Sequence, residues 1–204
     1  NRVRHKYYKD VLNTTYLYDG LDEAGNPDGE NHGTCKGMLT KVIYPGGEES
    51  YTYDNRGRVR KIKKTIDNRV RAVTYTYDSM DRIKTETLPT GEVLTYTYGH
   101  DGNLKSLTGK WNGTTYNYAA NIAYTAYGKL KEINYHNGVK TTYSYYDSAS
   151  KPDPANKNRT HSYRLANIHI QNNRGSIIAD TTYNYDSLDN IVKKVFFDNN
   201  NVCT

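Results

Sequence analysis

Four nine-residue stretches decide how this chain folds: YTYDNRGRV at 51–59, YTYDSMDRI at 75–83, YTYGHDGNL at 96–104 and YNYDSLDNI at 183–191. Their first tyrosines lie 24 (75 − 51) and 21 (96 − 75) residues apart, and weaker copies begin at Tyr16 and Tyr143. A period of about 20 to 26 residues indicates one small supersecondary unit that is copied along the chain. We therefore interpret the sequence as that of a repeat protein.

Each copy reads as the end of one strand, a turn and the start of the next strand. Side chains alternate between the faces of a strand, so Tyr-x-Tyr places two aromatic rings on one face. The following aspartate is typical of a turn, in which its carboxylate accepts a hydrogen bond from a nearby backbone N–H, and the glycine provides a positive φ. We predict structural roles for the tyrosines Tyr51, Tyr53, Tyr75, Tyr77, Tyr96, Tyr98, Tyr183 and Tyr185, and for the turn residues Asp54, Gly57, Asp78, Gly102 and Asp186.

A second strand follows each turn and ends at a different kind of tight turn. The candidates for these turns are Asp67-Asn68, Thr90-Gly91, Asn112-Gly113 and Asn137-Gly138, and Asn-Gly between alternating segments is a strong hairpin signal. The pattern predicts an all-β fold, in which repeated antiparallel β-hairpins form one long curved strip over residues 1–204. Two segments break the period, and we predict long loops at about 19–38 and 147–160.

The composition excludes several classes of protein. Tyrosine supplies 22 of the 204 residues, which is not expected of a disordered chain because such chains are poor in aromatic residues. No apolar run approaches the length of a transmembrane helix. The net charge of +6 is mild, and the densest basic run, from Arg56 to Lys64, favours a solvated strand over a phosphate-binding patch. We expect no nucleic-acid partner and no cofactor.

The repeated stretches resemble the YD repeat of Rhs proteins. YTYDNRGRV followed by YTYDSMDRI resembles two successive repeats, and YLYDG…GTCKGMLTKVIYPGGEESYTYDNRGRVRKI is similar to a variant in which an excursion precedes the next repeat. The resemblance extends from about Tyr16 to Phe197. The family includes bacterial Rhs toxins, the B and C components of ABC insecticidal toxin complexes and the animal teneurins.

The resemblance implies a β-strip that is part of a hollow shell. In the bacterial members such a shell encloses a toxic polypeptide, so the implied partners are the rest of the shell or an enclosed toxin, and the implied location is secreted or at the cell surface. The family also carries a self-cleavage site marked by Asp-Pro-Xaa-Gly. Here Asp153-Pro154 is followed by Ala155-Asn156, so we do not assign self-cleavage and expect no enzymatic activity.

The search for metal sites gives weak candidates only. His161 and His169 are eight residues apart, and His32 with Cys35 lacks a second pair of zinc ligands. The acidic loop at 19–30 partly resembles an EF-hand loop, but Ala24 occupies the first ligand position, so a solvated loop is favoured over a calcium site. Cys35 and Cys203 fit either a disulfide or two free thiols.

Two alternative functions remain at this stage. The first is an extracellular module that binds a glycan or a cell-surface partner through the tyrosine face, the long loops or Trp111, which lies beside the Asn112-Gly113 turn. The second is a fibre of repeats that assemble edge to edge, because a strip has unpaired edges.

Overall fold

The computed structural model describes residues 2–9, 11–146 and 163–197, together with the backbone of 202–203. The predicted loop at 147–160, the Asp153-Pro154 pair and His161 therefore lie outside the described residues, as does the side chain of Cys203. The described residues form no helix, so they include none that is long and apolar enough to cross a membrane.

The chain divides into two compact units, Asn1–Thr95 with Lys110–Thr114, and Tyr96–Gly109 with Thr115–Thr204. The strands that begin in the first unit are β1 (His5–Tyr8), β2 (Val11–Tyr18), β3 (Leu39–Tyr44), β4 (Gly47–Tyr53), β5 (Val59–Ile66), β6 (Arg69–Tyr77), β7 (Ile83–Thr87) and β8 (Val93–Tyr98). Those that lie wholly or mostly in the second unit are β9 (Leu104–Trp111), β10 (Thr114–Tyr124), β11 (Leu130–Tyr135), β12 (Lys140–Tyr145), β13 (Leu165–Gln171), β14 (Ile177–Tyr185), β15 (Ile191–Phe197) and β16 (Val202–Cys203).

Within each unit the strands follow one another in sequence order, and the pairs from β1 to β8 and from β10 to β16 are antiparallel. This arrangement follows from the hairpin signals, because a short turn can only join antiparallel strands. The prediction of an all-β fold of repeated antiparallel hairpins is confirmed.

The sheet of the first unit has two different faces. Residues directly opposite each other across paired strands share a face. Tyr51 lies opposite Ile62, which in turn lies opposite Val73, so the first tyrosine of the repeat shares its face with aliphatic side chains. The other face is rich in hydroxyl groups, which line up along the rows Thr52, Lys61, Thr74, Thr87 and Thr76, Thr85, Thr95.

The second unit repeats this division between the faces. Tyr143 lies opposite Ile168, and that row continues through Thr181 to Phe196. The adjacent row on the other face contains Thr142, His169, Asp180 and Phe197. A single layer of strands buries few side chains completely, and the buried apolar residues in the described part are Leu17, Ala119, Tyr146 and Ala166.

The four connections predicted as tight turns are of two kinds. Asp67-Asn68 and Asn112-Gly113 are two-residue loops in which both residues have positive φ, as a type I′ turn requires. Thr90-Gly91 and Asn137-Gly138 were also expected to be tight turns of this kind. They instead belong to longer turns, in which only the glycine has positive φ and its N–H donates to a carbonyl three residues earlier.

Candidate functional site

The row of Tyr-Asp turns is where successive repeats are joined. At the turn that follows β4, Asp54 Oδ1 accepts hydrogen bonds from the backbone N–H groups of Arg56 (2.9 Å) and Arg58 (3.0 Å). The backbone closes the same turn, because Asp54 N–H donates to the carbonyl of Arg58 and Gly57 N–H donates to that of Asp54. The aspartate therefore holds its own turn closed.

The same arrangement recurs at the other aspartates. Asp78 accepts from the N–H groups of Met80 and Arg82, and Asp186 accepts from those of Leu188 and Asn190. Hydrogen bonds from the Arg58 side chain hold the pKa of Asp54 at about 2. Burial alone would raise the pKa of Asp78, but hydrogen bonds from Arg82 outweigh it and lower the pKa. The pKa of Asp186 is lowered mainly by a hydrogen bond from the Asn190 side chain.

One position in each turn has a left-handed backbone, and its residue type varies between the copies. Gly57 and Gly102 occupy it with φ of 78° and 82°, whereas Asp81 and Asp189 occupy it with φ of 63° and 71°. Aspartate tolerates this region less well than glycine, so a second role for its side chain is to be expected. That role is an ion pair with an arginine of the preceding repeat.

Arginine side chains connect one Tyr-Asp turn to the next. Arg58 binds Asp54 of its own turn (Nε to Oδ2, 2.7 Å) and Asp81 of the next (Nη1 to Oδ1, 2.5 Å). In the second unit Arg164 donates to Asp189 Oδ1 (2.6 Å) and to the backbone carbonyl of Asp186 (2.9 Å). These pairs link successive repeats along one edge of the turns.

The second tyrosine of each copy makes the other link between repeats. Tyr77 donates its hydroxyl to the carbonyl of Val59 on the neighbouring strand (2.6 Å), and Tyr185 donates to Leu165 (2.9 Å). Other tyrosines that do so, with their acceptors, include Tyr18 to Val3, Tyr53 to Leu39, Tyr124 to Leu104 and Tyr145 to Leu130. Each of these six tyrosines follows an irregularity in the strand register, and such a bulge re-aims a side chain.

A cation lies over the ring of several of these tyrosines. The residue just before the acceptor carbonyl provides it, as Arg58 does for Tyr77 (4.4 Å to the ring centroid) and Arg164 for Tyr185 (4.7 Å). Lys129 over Tyr145 and Arg2 over Tyr18 are placed in the same way. The ring and the hydroxyl of the second tyrosine are therefore both bound by the preceding repeat.

The first tyrosines have a different environment. Tyr51 donates to Glu49 Oε2 (2.8 Å), and burial together with this carboxylate raises the pKa of Tyr51 to about 12. Tyr75 lies opposite Glu86, and the Lys194 ammonium lies 5.6 Å from the ring centroid of Tyr183. In the copy with Tyr96 and Tyr98 at the end of β8, Gly99 replaces the aspartate, and Asp101 accepts the hydrogen bond from Asn103 N–H instead.

The segment 19–38 between β2 and β3 docks on the sheet of the first unit. Glu30 reaches three strands, since it accepts from Lys41 on β3 (3.2 Å), Ser50 on β4 (3.1 Å) and Lys63 on β5 (2.8 Å). Burial alone would raise its pKa, but these donors outweigh it and hold the pKa of Glu30 at about 2. Farther along the segment, Tyr53 N–H donates to the carbonyl of His32 (2.9 Å).

His32 and Asp28 form a buried pair within this segment. His32 Nε2 lies 2.9 Å from Asp28 Oδ2, and Nδ1 lies 2.6 Å from the carbonyl oxygen of Tyr51. Both ring nitrogens are thus occupied, and Asp28 also accepts from Glu30 N–H. These contacts hold the part of the loop from Asp28 to His32 against the strands, while residues 23–27 are exposed.

The metal candidates do not come together. Among the described residues no group of three or more His, Cys, Asp or Glu side chains is arranged to hold a metal ion. His169 Nδ1 pairs with Asp180 Oδ2 (2.8 Å), while His161 lies outside the described residues. Cys35 carries a free thiol.

Exposed aromatic side chains cluster at one place in the second unit. Tyr116 and Tyr118 on β10 have nearly parallel rings, with centroids 6.5 Å apart and an angle of 17° between the planes. Together with Tyr135, His136 and Asn137 they line a hollow of about 470 Å³. Trp111, the predicted ligand contact, is 46% exposed and is assigned to the first unit.

The sequence pattern left two features of the turns unrecognised. Asn172 forms a turn like that of Asp54, since its side chain accepts from the N–H groups of Arg174 and Ser176. The spacing from Asn172 to Gly175 equals that from Asp54 to Gly57 and could have revealed it. The hydrogen bond from the second tyrosine to the preceding repeat is marked less clearly in the sequence. Its only sign is a basic residue followed by an aliphatic residue about 20 positions before the tyrosine.

Comparison with known families identifies the repeat. Residues 36–120 match the family model described as Teneurin YD-shell. Over these residues the chain is similar to the YD/Rhs-repeat family. The matched region of this YD-repeat chain includes the turns at Asp54 and Asp78 and the ion pairs that join them. The resemblance seen in the repeated stretches is confirmed.

Solved structures of toxin complexes share the fold of the YD-repeat chain. The crystal structure of TcdB2-TccC3-Cdc42 matches with a TM-score of 0.68 and 15% identity, covering 93% of this chain and 9% of that one. The Photorhabdus luminescens Tc holotoxin pore matches with a TM-score of 0.64 and 15% identity, covering 92% and 9%. The chain therefore spans 9% of the length of these solved chains. No curated protein is significantly similar to the YD-repeat chain.

Proposed function

We propose that this YD-repeat chain is a segment of a shell wall that encloses or presents a passenger polypeptide, in secreted toxin delivery. The role is structural rather than catalytic. Its partners are the remainder of the shell or an enclosed toxin polypeptide. The likeness in fold to TcdB2-TccC3 and to the Tc holotoxin pore supports association with other components of a toxin complex.

The observation that carries the proposal is the double link between successive repeats. A hairpin in water is marginally stable by itself, so a wall needs each hairpin to be held by the next. The hydrogen bond from Tyr77 to Val59 and the ion pair from Arg58 to Asp81 provide that hold at the same turn. Because the links recur with the repeat, they favour a continuous wall over an isolated catalytic site.

Limited proteolysis of the native protein that contains this chain tests the proposal. If the repeats enclose a passenger, cleavage sites in sequence outside the repeats will resist protease as long as the strands remain folded. The double variant Tyr77→Phe/Tyr185→Phe removes two links and should release that protection, whereas Tyr75→Phe/Tyr183→Phe should not. Cleavage of the non-repeat sequence at the same rate in folded and denatured protein would rule out enclosure.

A second candidate function is glycan binding, and the aromatic hollow in the second unit favours it. Tyrosine rings can pack against the apolar faces of sugars, and the amide of Asn137 and the ring of His136 offer hydrogen bonds to hydroxyl groups. We expect a glycan-array signal that is lost with Tyr116→Ala and kept with Tyr7→Ala, since Tyr7 is an exposed tyrosine on β1. A signal lost with Trp111→Ala alone would assign the contact to Trp111 and reject the hollow.

A further inference from the structure

The positive charge of the chain is concentrated in one hairpin. The β5–β6 hairpin carries one acidic side chain, Asp67, and six basic ones, Arg60, Lys61, Lys63, Lys64, Arg69 and Arg71. Its net charge is therefore +5 (6 − 1), compared with +6 for the whole chain. The rest of the chain is close to neutral, so most of the net charge lies on this hairpin.

Only part of this charge is neutralised by the fold. Lys63 pairs with Glu30 (Nζ to Oε1, 2.8 Å) and Lys64 pairs with Glu49 (Nζ to Oε1, 2.6 Å). The remaining four cations of the hairpin make no ion pair with any residue that the structure describes. They are exposed, so they are available to a partner.

The strand register brings like charges together near the turn. Lys64 lies directly opposite Arg71, and Ile66 lies opposite Arg69, so these four side chains share one face. Like charges directly opposite each other destabilise a sheet. Together with Asp67 they line a hollow of about 440 Å³. Glu49 offsets the charge of Lys64, so Arg69 and Arg71 are the cations of this face that a negatively charged partner would neutralise.

Apolar side chains accompany the charges. Ile66, on the same face as Arg69 and Arg71, is 45% exposed, and Val70 on the opposite face is 61% exposed. Nucleic-acid sites combine cations with aromatic platforms or with a continuous basic stripe, whereas protein interfaces combine exposed aliphatic groups with complementary charge. We propose that the turn end of the β5–β6 hairpin binds an acidic polypeptide segment whose carboxylates face Arg69 and Arg71 and whose apolar side chains contact Ile66.

Fluorescence anisotropy with the whole chain tests this site. The probe is a labelled peptide of about twelve residues that alternates Glu with Leu, and the reference probes are the same peptide with Gln for Glu and a single-stranded oligonucleotide of similar length. We expect the acidic peptide to bind, and its affinity to fall between about 50 and about 300 mM NaCl because the attraction is screened. Arg69→Glu/Arg71→Glu should weaken binding by about tenfold or more.

The matched control is Lys105→Glu/Lys131→Glu, which changes the net charge by the same amount on exposed positions of β9 and β11. An equal loss of binding in this control would mean attraction by net charge alone and would overturn the proposal. Binding of the Gln peptide as tight as that of the Glu peptide, or tighter binding of the oligonucleotide, would overturn it as well. Arg69→Gln/Arg71→Gln should also weaken binding of the acidic peptide, although it introduces no negative charge. Thermal melts verify that each variant is folded.

Discussion

The two tyrosines of each repeat have different structural roles, although they occur together as Tyr-x-Tyr in the sequence. The second tyrosine follows a bulge and donates its hydroxyl to the preceding repeat, as Tyr77 does to Val59. The first tyrosine stays in the regular ladder, where Tyr75 lies opposite Glu86. Burial raises the pKa of both phenols, so both remain neutral over the ordinary pH range. Their contributions to stability should differ because only one hydroxyl joins two repeats.

We predict that Tyr77→Phe lowers the free energy of unfolding by about 1 kcal/mol, the usual contribution of a hydrogen bond whose removal also leaves a carbonyl without its partner. The matched control is Tyr75→Phe, which should change the free energy of unfolding by less than about half of that amount. Urea unfolding of the two variants measures the difference. Equal effects would show that the hydroxyl link between repeats is not stabilising.

A glycine in the docked segment offers a second test at the residue scale. A Cβ on Gly33 would overlap the carbonyl oxygen of Tyr53, and the backbone there has a φ of 66°. Gly29 also has a positive φ (81°), but a Cβ on it would meet nothing within 4 Å. We expect Gly33→Ala to cost about 2 kcal/mol or more and to undock the segment, while Gly29→Ala shows only the backbone strain of about 1 kcal/mol. Hydrogen exchange at residues 19–38 would report the undocking, and similar exchange in the two variants would contradict it.

At the scale of elements, the segment 19–38 behaves as an added layer on strands β3, β4 and β5. Glu30 is its charged anchor, and Lys41 and Lys63 bind it from two strands. Its folded pKa of about 2 lies below the ordinary value of 4.5. A carboxylate with a lowered pKa stabilises the folded state above its unfolded pKa, and that contribution is lost as the pH falls through the folded pKa.

The contribution of Glu30 to stability should therefore be complete at pH 5 and decrease between about pH 4.5 and 2. Glu30→Gln should lower stability at pH 7 and reduce the decrease on acidification across that range. Asp54, whose pKa is also lowered to about 2, titrates in the same range and remains in both proteins. Urea unfolding at several pH values measures the two curves, and parallel curves for the variant and the parent would disprove a role for Glu30.

At the scale of the whole molecule, one hairpin unit is repeated along the chain, and most of this repeated fold was predictable from the sequence. Alternation, turn residues and period predicted the hairpins, because each depends on neighbours in sequence. The loop that docks through Glu30 and His32 was not predictable, because its partners on β3, β4 and β5 are distant and follow no period. The link between Arg58 and Asp81 was also missed, since a single copy gives no reason to pair side chains 23 residues apart.

Removal of one whole period should therefore be tolerated better than removal of half of it. Deletion of residues 54–77 joins Tyr53 to Asp78 and keeps both the Tyr-Asp turn and the antiparallel order. Deletion of 54–65 removes half as many residues but takes out one turn and nearly one strand, so the strand that follows would run in the wrong direction. We expect a cooperative thermal transition for the first variant and its loss for the second, measured by circular dichroism. The same behaviour in both would reject the two-strand unit.

The sequential strand order of each unit has a mechanical consequence. A chain pulled from one end first opens the hairpin at that end, because every strand is paired to the strands next to it in sequence. The ladder should then open like a zipper, with many small force peaks instead of one large one. The same order allows refolding to proceed strand by strand from a hairpin that is already formed.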